Sequence, residues 1–153
     1  MNDEHDPATI AREIVDDSLY LVVSTADRSG QPWASPVYFA HSGYREFFWV
    51  SAPEAAHSRN LRERRKVGIV IFDSRAPIDT GQGVYISGVA QELPAHECEE
   101  PVGIFSKRSV GHGGGEWTLE DVREPARMRL YRATAEAVYV LDEHDQRVEV
   151  RLS

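Results

Sequence analysis

Residues 19–51 carry three β-rich runs, at 19–25, 32–40 and 46–51, and the segments between them are far shorter than the dozen or so residues a parallel crossover needs. The chain therefore has to double back on itself, so these runs are expected to be neighbouring antiparallel strands. Asp27-Arg28-Ser29-Gly30 and His41-Ser42-Gly43-Tyr44 supply the turn chemistry. Pro32 and Pro36 restrict the second run to a strand start, an edge or a bulge, because proline cannot donate to a ladder.

The period changes after Ala52-Pro53-Glu54: residues 55–64 are helix-compatible, and 67–72 form a nearly continuous apolar strand. The turn Asp79-Thr80-Gly81-Gln82-Gly83 leads into a long strand at 84–93, expected to bend at Gly88. A helix is expected at 96–110, with Val102, Ile104 and Phe105 as its apolar stripe, followed by the flexible Gly111-His112-Gly113-Gly114-Gly115. Thr118-Leu119-Glu120-Asp121 reads as a capping box for a short helix, with Asp in the usual Glu position. Residues 127–141 supply one long strand or two, 147–152 a last strand, and Asp6-Pro7 opens a first helix over 7–17. The expected fold class is mainly β (α+β), a six- to seven-stranded antiparallel split β-barrel with peripheral helices, closed to remove its edges. At 153 residues it should form one domain, 1–153.

Composition excludes several functions. A formal charge of −8 opposes a sequence-independent attraction to phosphate backbones, so nucleic acid is not an expected partner. No apolar run approaches the length needed to span a bilayer, and the acidic start Met1-Asn2-Asp3-Glu4-His5-Asp6 lacks a secretory pattern, which points to the cytoplasm. One cysteine, Cys98, cannot form an intramolecular disulfide, and its neighbours Glu97, Glu99 and Glu100 should raise its thiol pKa. The six histidines show no ligand spacing, so no metal site is expected. The Gly81-Gln82-Gly83 turn precedes a strand rather than a helix, so it is no dinucleotide loop. The basic stretch Arg59-Asn60-Leu61-Arg62-Glu63-Arg64-Arg65-Lys66 is the local exception to the acidity: either a solvated helix face or a site for a small phosphorylated ligand.

The succession 19–25, Gly30-Gln31-Pro32-Trp33-Ala34-Ser35-Pro36-Val37, Phe47-Phe48-Trp49-Val50-Ser51 and His57-Ser58-Arg59-Asn60-Leu61, leading into Lys66-Val67-Gly68-Ile69-Val70, resembles the pyridoxamine 5′-phosphate oxidase-like, FMN-binding split-barrel superfamily. That resemblance covers roughly residues 7–141 and implies a homodimer with FMN at the subunit interface. It implies a flavin-dependent oxidoreductase that passes a hydride through FMN, with a small-molecule substrate and a nicotinamide donor. A deazaflavin-dependent reductase or a non-enzymatic flavin- or small-ligand-binding protein is the alternative. Position by position, Ser51 corresponds to a hydroxyl that contacts the flavin phosphate and His57 to a lysine that does the same, with Ser58 and Asn60 close by. Ser35, Pro36, Val37 and Val50 match segments that line the flavin ring, and Gln82 and Gly83 match a turn that reaches the cofactor from across the site.

The departures from the family pattern are informative. Authentic pyridoxamine phosphate oxidases place an Arg near Ser35, a Lys near Ala40 and an Arg near Ala56, so that reaction is disfavoured here. Trp117 either caps the ligand from the second subunit or packs in the core, and His112 is either a lid or proton donor or an exposed loop histidine. No residue is assigned a catalytic role, and loops such as 73–83 and 106–118 are expected to set specificity.

Overall fold

The computed structural model describes residues 6–153, so the expectations resting on the acidic start and on His5 lie outside the described residues. Helix α1 (Pro7–Asp17) leads into β1 (Tyr20–Ala26), β2 (Pro32–Tyr38), β3 (Ala40–Ser42) and β4 (Glu46–Ser51). Helix α2 (Ala56–Glu63) connects to β5 (Lys66–Phe72) and β6 (Gly83–Glu92), and α3 (Glu99–Gly111) precedes β7 (Arg129–Leu141) and β8 (Arg147–Val150). The strands form one sheet in the order β2-β1-β5-β6-β7-β4-β3, with β8 added along β7. Every pairing is antiparallel, as the short connections require.

The count is eight strands rather than six or seven, because the run at 32–40 divides. β2 pairs with β1, whereas β3 pairs with β4 at the far end of the sheet order, and only Phe39 lies between them. One residue can join the two edges only if the sheet curls until they face each other, which gives a half-barrel. Phe39 is fully buried at this corner, and its N–H bonds to Leu19 O at 3.2 Å, extending the β1–β2 register by one last rung before the chain crosses to β4.

Strand alternation fills the interior. Leu21 and Val23, Phe47 and Trp49, Ile69 and Ile71, and Ile86 and Tyr131 all point inward, and the Trp49 and Tyr131 rings stack at 6.0 Å with 7° between planes. Ala11 and Val15 of α1 cap one end of this core. The opposite face of β4 and β7 carries Phe48 and Leu130, covered by Val102 and Phe105 of α3. Arg108 ties the two helices together: its Nη2 donates to Ser18 O at 2.7 Å and Asp16 O at 3.3 Å, at the end of α1 where carbonyls lack helical partners, while its guanidinium lies 5.1 Å from the Phe39 ring centre.

Two local expectations change and one left open is decided. α3 starts at Glu99, preceded by a 3₁₀ turn at Ala95–Glu97, because a helix from 96 would bury Pro101 in its interior, whereas a start at 99 leaves Pro101 in the first turn. The last strand ends at Val150 rather than 152: Leu152 turns into the core and its carbonyl accepts from Arg12 Nε at 3.1 Å. Residues 127–141 form one strand, 129–141, long enough to pair with β4 over its first part and β8 over its last. The Thr118–Asp121 capping box is present, on a 3₁₀ turn. The turns after β1 and β7 use one device, an aspartate (Asp27, Asp142) accepting from main-chain N–H groups, with a positive φ at Gly30 and Asp145. No described helix is long and apolar enough to cross a membrane.

The expected bend of β6 is present as a register shift between Ser87 and Gly88. A Cβ at Gly88 would sit 2.2 Å from Thr134 O on β7. That overlap is with backbone, so neither partner can rotate away. Gly88→Ala is expected to destabilise the fold by about 2 kcal/mol or more, read as a lower midpoint in urea with an unchanged m-value.

Candidate functional site

The break after Ser51 at Pro53 and the start of α2 create a cluster of donors. Ala55, the residue before α2, provides no side-chain cap, and the first turn contains no acid. The first helical bond runs from Arg59 N to Ala55 O, which leaves the amides of Ala56, His57 and Ser58 to other acceptors. Uncapped N–H groups and the helix dipole together attract an anion. Beneath them His57 Nε2 and Ser51 Oγ form a 2.8 Å hydrogen bond, both residues buried. Burial lowers the His57 pKa, because the charged ring loses solvation.

Asn60 lies on another side of α2 and donates from Nδ2 to Thr25 Oγ1 at 3.0 Å; Thr25 Oγ1 in turn donates to Trp33 O at 3.4 Å. These contacts anchor α2 to the β1–β2 hairpin along an open groove of about 690 Å³, lined by Trp33, Ala56, Arg59 and Asn60 and edged by Arg28. Trp33 is 54% exposed there, a large aromatic face beside a guanidinium. Ser35 and Val37 share the inward side of β2, and Pro36 points to the outer face.

The remaining expected residues sit elsewhere in the protomer. Val50 and Trp117 belong to the α3 cluster, where Trp117 meets Phe105 edge-on at 5.8 Å and its N–H bonds to Ser106 Oγ at 2.8 Å. His112 reaches the Tyr38 hydroxyl at 2.7 Å through Nδ1. Gly83 begins β6 and Gln82 precedes it, with Gln82 Nε2 donating to Leu141 O at 3.1 Å. Val22 pairs with Val70 and Phe72 with Gly83, so this turn is level with Tyr20, whereas α2 is level with Thr25. That stretch of β1 spans about 17 Å at strand rise, so Gln82 and His57 of one protomer stand at opposite ends of the sheet. Ser58 also departs from its neighbours: its side chain lines a separate cavity with Tyr131.

The outer face of β2, β1, β5 and β6 is left uncovered by the helices. Val22, Val70 and Tyr85 surround small residues, Ser24, Ala34, Gly68 and Ser87, in a shallow hollow of about 430 Å³, with exposed Tyr20 and Phe72 nearby. Among the described residues no three His, Cys, Asp or Glu side chains group as a metal site. The Cys98 thiol is raised by burial first, then by Glu92 and Glu97, so Glu92 at the end of β6 takes the place expected of Glu99 and Glu100.

Sequence reasoning passed over Trp33, Thr25 and Tyr131. Trp33 and Thr25 lay in quoted strand segments, and strict alternation would have put Thr25 inward with Leu21 and Val23. Tyr131 alternates inward with Ala133, but nothing local shows that it meets α2.

The pyridoxamine 5′-phosphate oxidase family pattern matches residues 10–142. No curated protein matches the sequence. The chain is similar in fold to a heme binding protein from Mycobacterium smegmatis, at 19% identity and TM-score 0.73, covering 94% of this chain but 57% of that one, so it spans little more than half that relative's length. It is similar to the general stress protein 26 from Bacillus anthracis, at 14% identity and TM-score 0.67, covering 94% and 98% of the two chains. An F420 reductase matches at 16% identity and TM-score 0.62, covering 84% of this chain and 94% of that one.

Because the folded His57 pKa lies below its unfolded value of 6.5, the unfolded chain takes up the proton first as pH falls. The contribution of His57 to stability is complete above about pH 6.5 and is lost as pH drops below it. Urea unfolding at pH 7.5 and 5.5 should show a smaller loss in His57→Gln, which keeps a donor for Ser51 and does not titrate.

Proposed function

The chain belongs to the pyridoxamine 5′-phosphate oxidase family, and from that premise we propose that it is a homodimeric, single-domain flavin-dependent oxidoreductase acting on a small molecule, with FMN as cofactor. The observation that carries this reading is the start of α2: uncapped amides at 56–58, no acid in the first turn, and Ser51 with His57 directly beneath. This donor set fits the phosphate end of a flavin. Ser51 and His57 would hold the phosphate, Ser58 would contribute its amide, and Asn60 would fix α2 against the hairpin that presents Ser35, Pro36 and Val37 to the ring.

FMN supplies a ring that accepts and returns a hydride, for instance from a nicotinamide donor. The chain's own residues bind, orient and shield it. His57 is a conditional cation, since positions 35, 40 and 56 carry Ser, Ala and Ala where the namesake oxidases carry fixed charges. A phosphate beside the ring raises its pKa, so binding takes up a proton.

Two observations support the dimer. The outer sheet face is apolar and uncovered, and a second copy laid on it buries Val22, Val70 and Tyr85. The Gln82–Gly83 turn stands at the opposite end of the sheet from His57, and Trp117 lies on the α3 side, so a role for either at the same flavin would call for a partner's copy. Arg59 on the groove wall favours a second reading of the cofactor, a deazaflavin with a longer anionic tail, whereas Arg28 at the edge is paired with Glu63 at 2.7 Å.

Purified protein titrated with FMN and with a deazaflavin is expected to give a saturable absorbance change with at least one, tighter at pH 6 than at pH 8. Joint Ser51→Ala and His57→Ala substitution should weaken it about tenfold or more with the fold intact by circular dichroism. No spectral change with either cofactor would refute the reading. Sedimentation should give a dimer mass, and Val70→Asp on the outer face is expected to yield folded monomers with reduced cofactor affinity.

A further inference from the structure

We propose that the far flank of α2 forms a second site, separate from the cofactor, which binds a small oxyanion group, a phosphate or a carboxylate, between Ser58, Arg62, Arg65 and Tyr131. These residues line a cavity of about 240 Å³ between α2 and the ends of β6 and β7. Ser58 follows His57 by about 100° around the helix, so adjacent residues serve opposite flanks.

Ser58 is 1% exposed and its Oγ makes no well-formed hydrogen bond, although it stands close enough to the Tyr131 hydroxyl to pull that phenol's pKa down against the larger effect of burial. A buried hydroxyl without a partner destabilises the protein unless something else occupies the space. The Tyr131 hydroxyl faces the same cavity, and its ring is held in place by stacking on Trp49. Two neutral donors therefore form the floor. Arg62, one turn beyond Ser58, and Arg65, in the connection to β5, form the rim. Arg62 Nη2 donates to Pro53 O at 2.7 Å and Arg65 Nη2 to Gln91 Oε1, contacts that orient the guanidiniums with donors to spare. Arg65 has no carboxylate partner among the described residues.

Hydroxyl donors at the bottom and guanidinium donors at the mouth suit an oxyanion. Glu92, also on the rim, limits the charge accepted: it repels an extended polyanion and favours one compact group. The site accounts for part of the basic stretch at 59–66 in a chain of net charge −8, with Arg62 and Arg65 serving the cavity and Arg59 the groove on the other flank.

The test uses the full chain without flavin, so it stands whether or not FMN binds. Inorganic phosphate and succinate are titrated by calorimetry and thermal shift at constant ionic strength. Saturable binding of either that survives in His57→Ala and weakens in Arg65→Gln supports the site, and the tighter of the two identifies the oxyanion. Arg65→Gln and Tyr131→Phe should each weaken it about tenfold, while His57→Ala leaves it unchanged. Ser58→Ala should raise the melting temperature of anion-free protein and abolish the anion-dependent shift. Absent saturable binding, a shift equal in all variants, or binding lost in His57→Ala but retained in Arg65→Gln would overturn the proposal, the last because the anion would then sit at the start of α2.

Discussion

Phe39 joins two strands that belong to opposite ends of one sheet, and the architecture follows from how little chain it has to do so. β2 must stay on β1 and β3 on β4, so the sheet has to curl. The curl needs a strand that bends and a strand that reaches both neighbours. Gly88 supplies the first by letting β6 approach the Thr134 carbonyl; β7 supplies the second by pairing with β6, β4 and β8. Once curled, the interior admits large side chains from both edges, and the buried Phe39, Phe47, Trp49 and Tyr131 secure the corner that made the curl necessary.

α2 lies where this geometry leaves a gap in connectivity, between β4 on one side and β5 on the other. Only eight residues long, it turns three different flanks to three environments: His57 beneath to Ser51, Asn60 to the hairpin and its groove, and Ser58 to the Tyr131 cavity. Its basic residues are exposed while its start carries neither cap nor acid. An acidic protein thereby presents a short cationic feature, partly offset by Glu54 at 3.8 Å from Arg62 and by Glu63, and screened by salt beyond about 8 Å. The buried histidine gives that feature a pH dependence which a lysine at the same place would not have in the neutral range.

The uncovered outer face and the separated ends of the sheet point the same way. Helices cover the core through α1 and the β4–β7 face through α3, yet among the described residues no helix lies over the hollow of Val22, Val70 and Tyr85. Both features suit the proposed dimer, in which a second copy would cover that face.

Much of this was legible in local pattern. Short connections dictated antiparallel neighbours, Gly88 marked the bend, Thr118 and Asp121 marked the capping box, and the motif around Ser51 and His57 led to the family. These features depend on backbone rules and side-chain periodicity, which act over a few residues. The break at Phe39 was not legible, because it is set by pairing with strands distant in sequence. Nor was the position of Ser58: adjacency to His57 suggested a shared ligand, and only packing against Tyr131, more than seventy residues away, turned it to another cavity. The sequence by itself determined which elements form and which chemistry α2 carries. The tertiary structure decided which flank each side chain faces and which ends of the sheet lie apart, since both depend on long-range contacts that no local pattern encodes.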